Sequence, residues 1–123
     1  MRAAGMAGAI LLAAAMGCVS GRIEMGRSVT VERLERDLRI GESTAADVLR
    51  VMGEPDGRGE ARLGIHDGPR TVWSYYHELS DFSGTDVERW GRTFLWIYLD
   101  GEAYDGYLWF SSVPSEMSQS ESR

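Results

Sequence analysis

The chain of 123 residues contains no lysine, and all thirteen of its basic side chains are arginine. That excludes Schiff-base chemistry, which needs an amine, and the phosphate-cradling lysine of a P-loop. Cys18 is the only cysteine, so an intramolecular disulfide, a CxxC redox pair and a cysteine-rich zinc site are all excluded. The two histidines, His66 and His77, stand in no metal-ligand spacing such as HExxH and read as surface residues. No GxSxG elbow and no glycine-rich phosphate loop occurs. The expectation is a non-enzymatic protein without metal or cofactor. A net charge of -6 with no basic stripe speaks against nucleic acid as a partner.

What is present is the composition of a folded protein, 43% hydrophobic and 26% charged, with room for one domain. Met1 and Arg2 form a short cationic start, and Ala3 to Met16 is uncharged and ends in Gly17-Cys18. This stretch falls short of the about 20 apolar residues of a transmembrane helix. With its flanks it reads as an export signal over residues 1–17. The sequence Ala15-Met16-Gly17-Cys18 resembles a lipobox, where bacterial lipoprotein precursors are acylated on the cysteine and cleaved before it. Cys18 is then the lipid attachment residue. The alternatives are a plain secretory signal with a chance cysteine and an uncleaved N-terminal segment. Val19 and Ser20 follow, and the lack of Asp after the cysteine resembles enteric lipoproteins sorted to the outer membrane, which implies a location there facing the periplasm.

Residues 18–28 are polar and lack apolar periodicity, and read as a tether. The domain is expected over 29–112, beginning near Val29, and the Ser- and Glu-rich segment 113–123 as a disordered tail. Val31, Leu34 and Leu38 recur at helical spacing, with Glu32/Arg36 and Glu35/Arg39 at i,i+4 and Gly41 as the stop. Thr44 and Asp47 form a capping box that starts a second helix, with Ala45, Val48, Leu49 and Met52 on one face and Gly53-Glu54-Pro55 as its exit. Strands follow: a weak one over Ala61–Ile65 and three stronger ones over Thr71–His77, Thr93–Leu99 and Tyr104–Phe110. The segment 78–92 between them reads as a long acidic loop. Its Asp81, Asp86 and Glu88, with Ser83 and Thr85, offer oxygens to a hard cation but lack EF-hand order, and a solvated loop is the plainer reading. The fold class is α+β, two short N-terminal helices on one face of a three-stranded antiparallel sheet.

Gly41 through Val48 and Met52-Gly53-Glu54-Pro55, with Trp73-Ser74-Tyr75 and the alternation Leu95, Ile97, Leu99 before Asp100-Gly101, resemble the SmpA/OmlA family, the BamE-type outer-membrane lipoprotein domain. The departures are Met52 where leucine is usual, one extra residue between Gly41 and Thr44, and the long segment 78–92. The resemblance implies two helices over three strands and an accessory role in outer-membrane protein assembly.

Strand parity sets Leu95, Ile97 and Leu99 against Phe94, Trp96 and Tyr98. With Tyr107 and Trp109 the latter three are expected to form an aromatic second face. It is either a small second core, its residues packed on each other or lying under the long loop through Phe82 and Trp90, or a binding surface. The function read from this is a lipid-anchored envelope interaction module. Its partners are the membrane, through the anchor, and another envelope protein. The alternatives are a lipoprotein that binds a small ligand, glycan or lipid on the aromatic face, and an inhibitor of a periplasmic enzyme.

Overall fold

A computed structural model describes residues 17, 19–28 and 30–114. The rest of the expected signal peptide, the lipobox residue Cys18, the expected domain start at Val29 and tail residues 115–123 lie outside them. The elements in chain order are β1 (Ser20–Gly26), α1 (Val31–Asp37), α2 (Ala45–Met52), β2 (Gly57–Ala61), β3 (Arg70–Ser83), β4 (Asp86–Asp100) and β5 (Ala103–Ser111).

The expected three-stranded sheet beneath two helices is overturned. All five strands form one antiparallel sheet, and the helices are only 7 and 8 residues long. β3 is central. β4 and then β5 lie to one side of it; on the other, β2 pairs with its first half and β1 with its second. β3 and β4 run for 14 and 15 residues, so the segment expected as a long loop is two strand arms joined at Gly84-Thr85. Gly84 has φ +62°, the left-handed conformation that a two-residue hairpin turn needs at its first position. The arms looked like a loop because they carry charge on both faces. Those charges stand opposite one another across the strands, Glu78 facing Arg92 and Asp81 facing Arg89, and opposite-charge cross-strand pairs favour pairing.

The expected tether pairs as well. β1 is exposed at all seven residues and shows no apolar periodicity, so nothing in its own side chains announces a strand. It is held by the open edge of β3, by Arg22 on Asp81 at 2.7 Å and by Glu24 on His77 at 2.6 Å. β2 lies four residues before the expected strand; Leu63 and Ile65, which suggested that strand, are exposed. The Arg58 guanidinium instead covers the Trp73 ring at 5.3 Å.

α1 ends at Asp37, before the expected stop at Gly41. The Arg39 guanidinium folds back onto the carbonyls of Glu35, Arg36 and Leu38 at 2.9, 3.2 and 3.0 Å, satisfying acceptors that a helix end leaves free. α2 follows the sequence reading. Asp47 N–H donates to Thr44 Oγ1 at 3.3 Å and Thr44 N–H to Asp47 Oδ2 at 2.9 Å, which completes the capping box. Leu34 and Leu38 join Val48 and Met52 in a core whose sheet members include Tyr75, Leu95, Ile97, Leu99 and Tyr104. The side chains of Val48, Leu95 and Ile97 are fully out of water, and each contributes about 1.5–3 kcal/mol relative to exposure. Tyr75 hydroxyl donates to the Gly53 carbonyl at 3.0 Å, tying β3 to the end of α2. The connection between the helices bonds β5 directly, Gly41 N–H to Tyr104 O and Tyr104 N–H to Ser43 O, both 2.8 Å.

Candidate functional site

In an antiparallel ladder directly opposed residues share a face, so the register decides which aromatics meet. Leu95 and Ile97, buried in the core, face Trp109 and Tyr107. Phe94 and Trp96 face Phe110 and Leu108, and on the other side Tyr76 and Ser74. The five residues expected to share one aromatic face are therefore divided. Phe94, Trp96 and Tyr98 lie together on the face away from the core. Tyr107 and Trp109 lie on the core side, where Tyr107 hydroxyl donates to the Glu35 carboxylate of α1.

The cause is a bulge. Leu99 pairs with Tyr104 but Tyr98 pairs with Gly106, leaving Asp105 unopposed. One extra residue exchanges the faces of everything beyond it, so Tyr104 and Tyr107, three positions apart, point the same way. Alternation read from the sequence does not reveal such a shift. The residues that complete the outer aromatic patch are Tyr76, Leu108 and Phe110. Leu108 and Phe110 share a parity in the sequence, but the side it faces is set by the bulge.

The patch packs on itself. Phe94 stacks on Phe110 at 5.0 Å between centroids and meets Tyr76 at 5.1 Å; Trp96 meets Phe110 edge-on at 5.9 Å. Leu108 and Phe110 are each 48% exposed. Phe82 and Trp90, expected to cover the patch from a loop, lie in β3 and β4 within the same sheet.

Charged clusters bound the patch at both ends. At one end Glu78 accepts from the Tyr76 hydroxyl and from Trp90. The Arg92 guanidinium lies 4.1 Å over the Trp90 ring. The Tyr76 hydrogen bond holds the Glu78 carboxyl below its ordinary range and, by the same contact, raises the Tyr76 phenol. At the other end Arg70 Nε donates to Asp105 at 2.9 Å, and the His66 ring lies 6.4 Å from that of Tyr98. An apolar centre with a charged rim is the layout of a protein interface.

His77 and Asp81 are engaged in holding the fold. His77, expected at the surface, is buried, with Nε2 2.6 Å from Glu24 Oε1; His66 is half-buried. Asp81, considered as a cation ligand, binds Arg22 and Arg89 at 2.7 and 3.0 Å, and the Arg22 hydrogen bond is the main cause of its lowered pKa. Among the described residues no group of three or more His, Cys, Asp or Glu is placed to hold a metal ion, and no helix is long and apolar enough to cross a membrane.

An open cleft of about 310 Å³ lies between Gly26, Arg27, Glu54, Asp56 and Tyr75. Its polar atoms serve the fold: Arg27 donates to Met52 O at 3.2 Å, and Asp56 accepts from Tyr76 N–H at 2.7 Å. Burial pushes the Tyr75 phenol up to about 12. The outer aromatic patch is the candidate site. Comparison of the chain with family models, with curated proteins and with solved structures finds no match.

Proposed function

We propose that this chain is a lipid-anchored, non-catalytic interaction module of a bacterial envelope, which docks another envelope protein on the patch formed by Tyr76, Phe94, Trp96, Leu108 and Phe110. One observation carries this reading. An antiparallel sheet with one face on its core ordinarily turns polar side chains outward, yet here the middle of the outward face of β4 and β5 is aromatic or aliphatic, with Phe94, Trp96 and Tyr98 partly exposed and Leu108 and Phe110 half-exposed. Exposed apolar patches mark contact surfaces, and Trp, Tyr and Phe are enriched in interface cores. The lipobox-like Ala15-Met16-Gly17-Cys18 supports the envelope location and the acyl anchor. A role in outer-membrane protein assembly rests on the sequence pattern alone, over Gly41–Pro55, Trp73–Tyr75 and Leu95–Gly101, since the fold that went with it is not the one found.

The test is cross-linking in intact membranes followed by affinity isolation in mild detergent and mass spectrometry. An envelope protein should be recovered with the wild type, be depleted at least about tenfold in Trp96→Ala or Phe110→Ala, as for an interface hot spot, and be retained in Trp109→Ala. Recovery of no envelope protein, or equal recovery with all three variants, counts against the proposal. The Glu78 carboxylate beside Tyr76 and Trp90 favours a second reading, a glycan stacked on the rings. A glycan array probed with wild type and Trp96→Ala separates the two.

A further inference from the structure

We infer that the end of the sheet next to Cys18 is a lipid-contacting surface, in which Val19, Ile23, Phe82, Val87 and Trp90 rest on the bilayer and set the orientation of the domain. The inference rests on the proposed acyl anchor.

The first observation is the absence of slack. The Val19 carbonyl accepts a hydrogen bond from Gly84 N–H at 2.8 Å, and Ser20 pairs with Ser83. Chain and hairpin tip are thus joined at the residue that follows Cys18. Consecutive Cα atoms are about 3.8 Å apart, so acyl chains on Cys18 would leave the sheet one residue from the tip. The tip would have nowhere to go but the lipid surface.

The second observation is what that end presents. Gly21, Phe82 and Val87 form one cross-strand row, and Ile23, Ser80 and Trp90 the next. A Cβ placed on Gly21 would come within 2.8 Å of the Phe82 ring, so the ring lies across the glycine on the same face as Val19 and Ile23. Asp81 pairs with Arg89 and Phe82 with Val87, leaving Glu88 unopposed. That bulge brings Val87 to the face of Trp90. Val19 is 70% exposed, Val87 64%, Ile23 55% and Trp90 42%. Side chains this apolar and this exposed are costly in water, and tryptophan favours the membrane interface.

The third observation selects the kind of attraction. Arg22 and Arg89 both turn onto Asp81, and Asp86 and Glu88 are exposed beside them. Arg92, over the Trp90 ring, faces Glu78 at 4.0 Å, so the described arginines at this end all face carboxylates and the contact is apolar and independent of lipid charge.

The full-length acylated protein, reconstituted in vesicles of phosphatidylethanolamine and phosphatidylglycerol with brominated acyl chains, tests this through tryptophan quenching. Trp90→Phe should lose most of the quenching, whereas Trp96→Phe and Trp109→Phe keep it. Replacing phosphatidylglycerol by phosphatidylcholine, or raising the salt, should change nothing. Val19→Ser with Val87→Ser, Trp90 retained, should lower the quenching of Trp90. Equal quenching in wild type and Trp90→Phe, or Trp90 open to aqueous acrylamide as in detergent, overturns the lipid contact, whether water or a protein covers that end instead. Intact mass separates the two claims: acyl groups on Cys18 without Trp90 quenching reject only the contact, and a mature chain without acyl groups rejects both.

Discussion

Arg22 and Asp81, 59 residues apart in sequence, share two hydrogen bonds of 2.7 and 3.2 Å, and the same carboxylate accepts Arg89 at 3.0 Å. One side chain therefore joins β1 to β3 and β3 to β4. Asp81→Asn removes the charge that both arginines face. We expect a loss of about 1 kcal/mol, the upper range for partly exposed ion pairs, with faster hydrogen exchange at the β1 amides. Unchanged protection of β1 would show that backbone pairing alone holds it.

Acid should destabilise the domain through carboxylates lowered in the folded state, Asp37 beside Arg36 among them. Asp47, Glu78 and Asp81 are all lowered in the folded state, chiefly by hydrogen bonds from the Thr44 backbone, the Tyr76 hydroxyl and Arg22 respectively. A lowered folded pKa means stability that is complete above the ordinary value and is lost as pH falls through the folded one. The loss should begin near the ordinary 4.5 of Glu78, extend through the ordinary 3.8 of the aspartates and continue below it. Alkali acts on Tyr75 and Tyr104, both pushed up from the ordinary 10.0 to about 12 by burial, so stability that is complete below 10.0 is lost as pH rises from 10.0 to about 12. Thermal unfolding across pH checks both limbs. Tyr104→Phe should flatten the alkaline one, and an unaltered limb in that variant contradicts the assignment.

Thr44→Ala removes the hydroxyl that accepts from Asp47 N–H. A lost N-cap costs about 1 kcal/mol, and because α2 has only 8 residues its amides should show the change most. Thr44→Ser, which retains the acceptor, should stay near wild type in the same denaturant titration.

Gly91→Ala probes the close approach of the chain after β5. A Cβ at Gly91 would lie 2.4 Å from Val113 Cα, which is backbone and cannot swing away. The strand end must move off, at a cost of about 1–3 kcal/mol. Ile97→Ala is the core comparison and should cost about 2–5 kcal/mol. A neutral Gly91→Ala in chemical unfolding would show that Val113 does not hold that position.

Phe94 and Phe110 allow the patch's structural role to be measured apart from binding. If their stacking contributes to stability, a double-mutant cycle with leucine should give a coupling of about 0.5–1.5 kcal/mol. The same cycle between Phe94 and Trp109, on opposite faces, should give none. Coupling in the second pair would mean the register of β4 and β5 is not the one described.

Much of the local structure was legible because it is written in local chemistry. The Thr44 and Asp47 box needs only its own residues, and both hydrogen bonds form. The Val48 and Met52 stripe is buried as its spacing implies, and Leu95, Ile97 and Leu99 point to the core as their alternation requires. The lipobox-like Ala15-Met16-Gly17-Cys18 is a sequence feature only, and its Cys18 lies outside the described residues.

Tertiary structure alone decided the number of strands and the sides of the sheet. β1 has no signal of its own and is a strand because the edge of β3 extends past β2 and offers unpaired backbone groups. The arms over 78–92 pair because charges that look solvated in sequence oppose one another in space. The bulge at Asp105 turns Tyr107 and Trp109 toward the core and leaves Leu108 and Phe110 outside. Side-chain direction has a period of two, so one unpaired residue reverses every assignment after it, and hydrogen-bond register is a relation between strands that neither strand carries by itself.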